Sequence, residues 1–110
     1  MKKICILFGS PKENGNTAHL LEPFSKEAKA MGCAITQVNL YEKKISPCMG
    51  CRNCQKNWSI VGCPVKDDMQ EIFELVLASD MIVLATPIYS WYCTAPMKAA
   101  LDRLVYGMNK

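Results

Sequence analysis

The apolar run "KICILFG" constrains this chain more than any other stretch. Ile4, Cys5, Ile6, Leu7 and Phe8 follow one another without a polar residue, and Gly9 closes the run. A strand with one face in water alternates apolar and polar side chains. A short continuous run is instead buried on both faces, as in a parallel sheet with a helical layer on each side. "MIVLATP" is a second such run. Between the two lies "NTAHLLEPFSKEAKAMG", with Leu20, Leu21, Phe24, Ala28 and Met31 at helical spacing, Asn16 as cap and Gly32 as stop. Pro23 conflicts with that helix, since an interior proline costs about 3 kcal/mol and predicts a kink. "AITQVNL" alternates and predicts a strand at or near an edge. In "DDMQEIFELVLASD", Asp67 and Gln70 form a capping-box pattern, and Met69, Ile72, Phe73, Val76 and Leu77 make one stripe. "TAPMKAALDRLVYG" predicts a last helix, with Pro96 in its first turn and Met97, Ala100, Leu101, Leu104 and Val105 on one face. Strands alternating with helices predict an α/β chain: one domain over residues 1–110, with a right-handed, doubly wound parallel sheet.

The 110 residues carry 13 basic and 10 acidic side chains, a net charge of +3, with both signs interspersed. That is too weak a field to argue for nucleic acid or a membrane surface. No apolar stretch approaches the roughly 20 residues of a membrane span. The start mimics an export signal only over Ile4 to Phe8 and runs into Gly-Ser-Pro, so it reads as a strand. Seven cysteines without an export signal argue against a disulfide scaffold and for a reducing, cytoplasmic setting.

Residues 41–66 show no period, and a connection of that length in a compact domain is usually functional or disordered. This one holds Cys48, Cys51, Cys54 and Cys63, spaced C-x2-C-x2-C-x8-C. Three cysteines at x2 intervals can wrap one cluster, and a distant fourth followed by Pro64 is similar to bacterial ferredoxin runs. Structural zinc sites more often use two separated C-x2-C pairs. A cluster, a plain loop, zinc and a disulfide switch all remain open readings. Cys5, Cys33 and Cys93 read as small hydrophobes. The loop "GSPKENGNT" after the first strand lacks both the dinucleotide fingerprint and the ATP-type phosphate loop. It still has the parts of an anion cradle: Ser10, Asn14, Asn16 and Thr17 as donors, Gly15 for close backbone approach, Lys12 for charge, and a helix N-terminus behind them. A polar turn with a helix cap is the simpler reading of the same residues.

Four segments in register carry a resemblance: "GSPKENGNT", "LYEKKISPCMGCRNC", "CPVKDDM" and "SDMIVLATPIYSWYCTAPMKAALDR". Together they make the chain resemble the NADPH-dependent FMN reductase family of flavodoxin-like proteins, and within it the branch of the iron–sulfur flavoproteins. The resemblance implies a sheet of order 2-1-3-4-5, of which three strands (2-1-3) and three helices fall within these residues, with FMN at the carboxyl ends of the strands. It implies that Ser10, Lys12, Gly15, Asn16 and Thr17 hold the FMN phosphate. Thr86, Pro87, Ile88, Tyr89, Ser90 and Trp91 would line the isoalloxazine ring. Physical reasoning supports the second assignment, because Pro87 frees backbone polar groups and the aromatics offer faces to a ring. The implied activity is an NAD(P)H oxidoreductase passing electrons from a transient NAD(P)H to a small acceptor such as a flavin or quinone. Cys48, Cys51, Cys54 and Cys63 would hold a 4Fe-4S cluster, although the x8 gap is longer than the family's. An electron-transfer protein without NAD(P)H activity, and a non-enzymatic interaction or metal-binding remnant, are the alternatives. No side chain is assigned as catalytic acid or base, since the flavin carries that chemistry; His19 reads as a surface residue.

The chain stops after the third helix, and three expectations follow. The third strand is an exposed apolar edge. One face of the first strand, Ile4, Ile6 and Phe8 or else Cys5 and Leu7, is bare. A half-pocket binds FMN weakly. The chain is therefore expected not to be a stable monomer: either it covers its edge or swaps elements as a homodimer or higher homo-oligomer, or it is a fragment of a longer gene product.

Overall fold

The computed structural model describes residues 1–57, 59 and 62–108. Strand β1 (Lys3–Phe8) leads to helix α1 (Asn16–Ala30) and strand β2 (Ala34–Asn39). A long connection holds two 3-10 turns, Leu40–Glu42 and Asn53–Gln55. Helix α2 (Met69–Leu77), strand β3 (Met81–Ala85) and helix α3 (Ala95–Met108) complete the described chain. The sheet is parallel with order β2-β1-β3, as expected.

Register decides which side chains share a layer. Ile4 stands beside Ile35 and Met81, and Leu7 beside Val38 and Leu84. Ile4, Ile6 and Phe8 pack with Ala28, Leu21 and Phe24 of α1. Cys5 and Leu7 face the other way, into a cluster with Val38, Leu40, Met69, Ile72, Phe73, Val76, Met97 and Ala100. Helices on both sides therefore bury the whole run that opens the sequence, and the expected bare face on β1 is absent. The exposed apolar surface lies one strand over, at Met81, Ile82 and Leu84 on β3, each about half exposed. Residues of α2 and α3 pack with Cys5 and Leu7 of β1 and Val38 of β2, whereas Ile82 and Leu84 lie outside that cluster.

Helix α1 departs from expectation in two ways. Leu20 and Met31 point into solvent, at 78% and 76% exposure, and the helix packs on the sheet through Ala18, Leu21, Phe24 and Ala28. Gly15, not Asn16, precedes the first turn, and no side chain caps it. The helix continues through Pro23. Its stop is as predicted: Gly32 has φ +88°, and the N–H groups of Gly32 and Cys33 donate to Lys29 O and Ala28 O, both at 3.0 Å. Helix α2 opens with the predicted reciprocal cap. The Asp67 carboxylate accepts Met69 N–H and the Gln70 side chain accepts Asp67 N–H, both at 3.0 Å. Among the described residues, no helix is long and apolar enough to cross a membrane.

Candidate functional site

Parallel strands place the loops that leave their carboxyl ends along one edge of the sheet. The β1–α1 loop and the β3–α3 loop are joined there by a buried threonine. Thr94, 1% exposed, donates from its hydroxyl to Gly9 O at 2.6 Å and from its backbone N–H to Thr86 Oγ1 at 3.2 Å. Gly9 N–H in turn donates to Ala85 O at 2.7 Å. A Cβ on Gly9 would lie 2.9 Å from Thr94 Oγ1, so the close approach requires glycine.

On this anchor stand the residues predicted for a phosphate. Ser10 is buried and Oγ accepts Lys12 N–H at 3.1 Å, which turns the loop. Lys12, Asn14 and Asn16 are exposed, and Thr17 is half-buried. Gly15 sits where a Cβ would come 3.2 Å from Lys12 Cβ, a tight fit. The first turn of the 15-residue helix α1 has no side-chain cap, so its N–H groups are open to an anion.

The predicted ring-lining residues run from the end of β3 into a tight two-residue turn. Tyr89 and Tyr92 exchange backbone hydrogen bonds at 2.9 and 3.1 Å, and Ser90 and Trp91 between them have φ of 47° and 76°. Non-glycine residues in the left-handed region carry strain of about 1–3 kcal/mol each. Thr86 and Pro87 are half-buried, whereas Ile88, Tyr89 and Ser90 are exposed and Trp91 is 99% exposed. The turn is an apolar, strained projection beside the donor loop, with its aromatic faces uncovered.

The cysteine connection is built differently. Cys48, Cys51, Cys54 and Cys63 all line one cavity of about 130 Å³, so the chain folds Cys63 back to the other three. As placed, the thiols do not converge: among the described residues no three His, Cys, Asp or Glu side chains are grouped to hold a metal ion. Two sulfurs already face donors, Cys48 Sγ from Gly50 N–H at 3.5 Å and Cys54 Sγ from Gln55 Nε2 at 3.9 Å. None of the seven cysteines is disulfide-bonded. Burial pushes the Cys5 thiol up, only partly offset by a hydrogen bond with Ser79, as befits a core residue.

The loop is tied to the domain by residues that sequence reasoning missed. Arg103 of α3, 2% exposed, donates from Nη1 to Asp67 Oδ2 and to Ser46 O at 3.2 Å, and from Nη2 to Val65 O at 3.1 Å. It thus joins the stem before Cys48 to the stem after Cys63. Burial disfavours the Asp67 carboxylate, yet the hydrogen bonds from Arg103, Ser46 N–H and Met69 N–H outweigh it and hold the pKa below the usual range. Burial likewise opposes the Arg103 charge, and the hydrogen bond with Asp67, aided by the nearby Cys63, more than offsets it. Gln55 donates to Tyr106 O at 2.5 Å, and Gly62 N–H to Gly107 O at 3.0 Å. The signal for Arg103 is faint: a cation at position 103 on the buried Met97–Ala100–Gly107 stripe, matched only by an acid at a distant cap.

A family model described as NADPH-dependent FMN reductase matches residues 2–110. An iron–sulfur flavoprotein of Archaeoglobus fulgidus is 39% identical over 108 residues, which cover 97% of this chain and 47% of that protein. The iron–sulfur flavoprotein of Methanosarcina thermophila is 32% identical, with 98% and 55% covered. Among solved structures, an NAD(P)H:quinone oxidoreductase from Methanothermobacter marburgensis superposes with a TM-score of 0.78 at 21% identity, over 97% of this chain and 55% of that one. That likeness shows a flavodoxin-like fold. The chain spans about half the length of the curated relatives it matches. With the sheet order, the donor loop and the "TPIYSWY" turn, the match over residues 2–110 establishes that the chain belongs to the NADPH-dependent FMN reductase family.

Proposed function

We propose that this chain supplies the phosphate-side half of an FMN site in an NAD(P)H-dependent oxidoreductase, and that its cysteine connection holds an iron–sulfur cluster. The observation that carries the reading is the Thr94 anchor, which fixes the donor loop and the aromatic turn to each other at one sheet edge. A scaffold with no ligand has no need of exposed donors at an uncapped helix start next to a strained aromatic projection. FMN bound there would accept two electrons from a reduced nicotinamide and yield them to a flavin or quinone-type acceptor, with a cluster as one-electron relay.

The chain's own residues then have distinct tasks. Lys12 and the donors of Asn16 and Thr17 meet the phosphate, aided by the N-terminal amides of α1. Ser10 keeps the loop turned, and Gly15 keeps the backbone within reach. Thr86 and Pro87 offer backbone polar groups to the ring edge, while Ile88, Tyr89 and Trp91 exclude water from its face. Cys48, Cys51, Cys54 and Cys63 are the right donor set for a cluster, and the N–H groups already directed at two of their sulfurs favour an anionic centre. The half-exposed β3 edge is the surface on which a second copy would sit, completing the ring side of the pocket.

The test is the visible spectrum of protein purified without oxygen, before and after NADPH. Flavin bands that bleach with NADPH support the reductase, and an added broad brown absorption supports the cluster. Flavin bands indifferent to NADPH favour an electron-transfer protein. A colourless protein that takes up neither FMN nor iron overturns both redox readings and leaves the interaction module.

A further inference from the structure

Arg103 is more than a structural ion pair requires. A guanidinium does not shed its charge, so burying it in a helix stripe must be offset by partners. Nη1 and Nη2 are satisfied by Asp67, Ser46 and Val65. Nε is not: it is the one buried side-chain nitrogen or oxygen without a partner among the described residues. An unmet buried donor costs about 1–3 kcal/mol. Arg103 also lines the same cavity as Cys48, Cys51, Cys54 and Cys63. A neutral thiol is a weak acceptor, whereas a thiolate or inorganic sulfide is a strong one. The unmet donor and the four thiols therefore complete each other when the sulfurs are anionic, the state in which they bind metal.

We propose that Arg103 is the positioning residue and fixed counter-charge of the cysteine site: its two terminal nitrogens clip the stems of the loop together, and its Nε–H donates to an anionic sulfur when the site holds an iron–sulfur cluster. The proposal rests on the cluster reading above. A buried positive charge beside a cluster stabilises its more negative, reduced form, so removing that charge shifts the midpoint potential negative.

The test compares the wild-type chain, Arg103→Lys, and the double variant Arg103→Met with Asp67→Asn. The double variant removes both ions together and so leaves no unpaired buried charge. Each protein is reconstituted without oxygen using ferrous iron and sulfide and checked by far-UV circular dichroism. Iron and sulfide per chain, the rate of iron loss to a ferrous chelator, and the midpoint potential are then measured. The double variant is expected to lose iron at least about tenfold faster, as outer-shell partners usually dictate, and, because Arg103 lines the cavity and Asp67 does not, to shift negative in potential by less than loss of the Arg103 charge alone would give. Arg103→Lys keeps the charge and lacks the Nε donor. It is expected to keep the wild-type potential while losing iron about tenfold faster. A folded double variant with wild-type potential and wild-type iron loss overturns the proposal and leaves the cluster reading intact. A double variant that fails to fold passes the decision to Arg103→Lys, whose wild-type rate of iron loss would equally overturn it. Wild-type protein that takes up no iron and no sulfide overturns the cluster reading and the proposal with it.

Discussion

Two loops leave the same edge of the sheet and are built on opposite principles. The cysteine connection spans more than twenty residues and, among its described residues, has no regular element longer than a single turn, yet its stems are locked by a buried ion pair and its middle by bonds to the last turns of α3. The β1–α1 loop is short, and its side chains stay free: only Ser10 is committed, while Lys12, Asn14 and Asn16 face solvent. The cysteine loop is stiffened from the core at its stems, although its thiols are not grouped. A site that receives a phosphate needs donors left unspent. The difference teaches that length is a poor guide to order here; what matters is where the polar groups of each loop find partners.

The most damaging break in this comparison is Arg103→Met alone. It strands the Asp67 carboxylate in a nearly buried position, and removing one partner of a buried pair typically costs about 3–5 kcal/mol. Urea denaturation should show that loss. A change below about 1 kcal/mol, the range of an exposed pair, would mean the loop is not held by this bond. The same pair sets an acid limit. The folded-state pKa of Asp67 is depressed, so its contribution is complete above the ordinary carboxylate pKa of about 3.9 and disappears as pH falls through the lower folded value. The stability gap between wild type and Asp67→Asn should therefore be constant near neutrality and close only in strong acid. A gap that closes between pH 5 and 7 would contradict the assignment.

The second break falls on the other loop. Thr94→Val keeps the shape and removes the hydroxyl that donates to Gly9 O, leaving that carbonyl without this partner at a cost of about 1–3 kcal/mol. Because Thr94 joins the two loops proposed to hold the flavin, FMN affinity should fall with stability, while iron uptake at the cysteines stays as in wild type. Isothermal titration with FMN and an iron assay on the same preparation separate the two. Loss of iron uptake would show that the loops are not independent.

The layered α/β fold was legible because it rests on periodicity. β1, β2, α2 and α3, the capping box at Asp67 and Gln70, and the glycine stop at Gly32 each follow from a few neighbouring residues. What was not legible depends on contacts between distant segments. Leu20 and Met31 obey helical spacing but stand in solvent, which only the placement of α1 reveals. β1 is covered on both faces because α2 and α3 share one side, so the exposed apolar surface falls on β3 instead. Arg103 and Thr94 looked like ordinary helix residues, since their partners lie 36 and 85 positions away. At the candidate site the residue types were readable, but Trp91 was expected at the ring and stands almost fully in solvent. A local pattern marks such residues without fixing what they face.

That exposed turn gives the smallest and most discriminating test. Ser90 and Trp91 adopt positive φ between the paired tyrosines, the geometry for which Asn-Gly is the preferred sequence. A left-handed residue other than glycine costs about 1–2 kcal/mol. Glycine at the same place forfeits about 0.5–1 kcal/mol of unfolded-chain entropy. Trp91→Gly should therefore stabilise the chain by about 0.5 kcal/mol, because a side chain that is 99% exposed buries nothing worth losing. If the indole is retained to cover a flavin, the same variant should bind FMN more weakly, and flavin fluorescence, quenched by a stacked indole, should recover. Stability rising while affinity falls would mark the turn as strained for the sake of a ligand. A rise in stability with unchanged FMN binding would make Trp91 a contact for something other than the ring. A loss of stability would mean that the turn is not strained, and the contrast between a stiff cysteine loop and a poised flavin loop would have to be drawn without it.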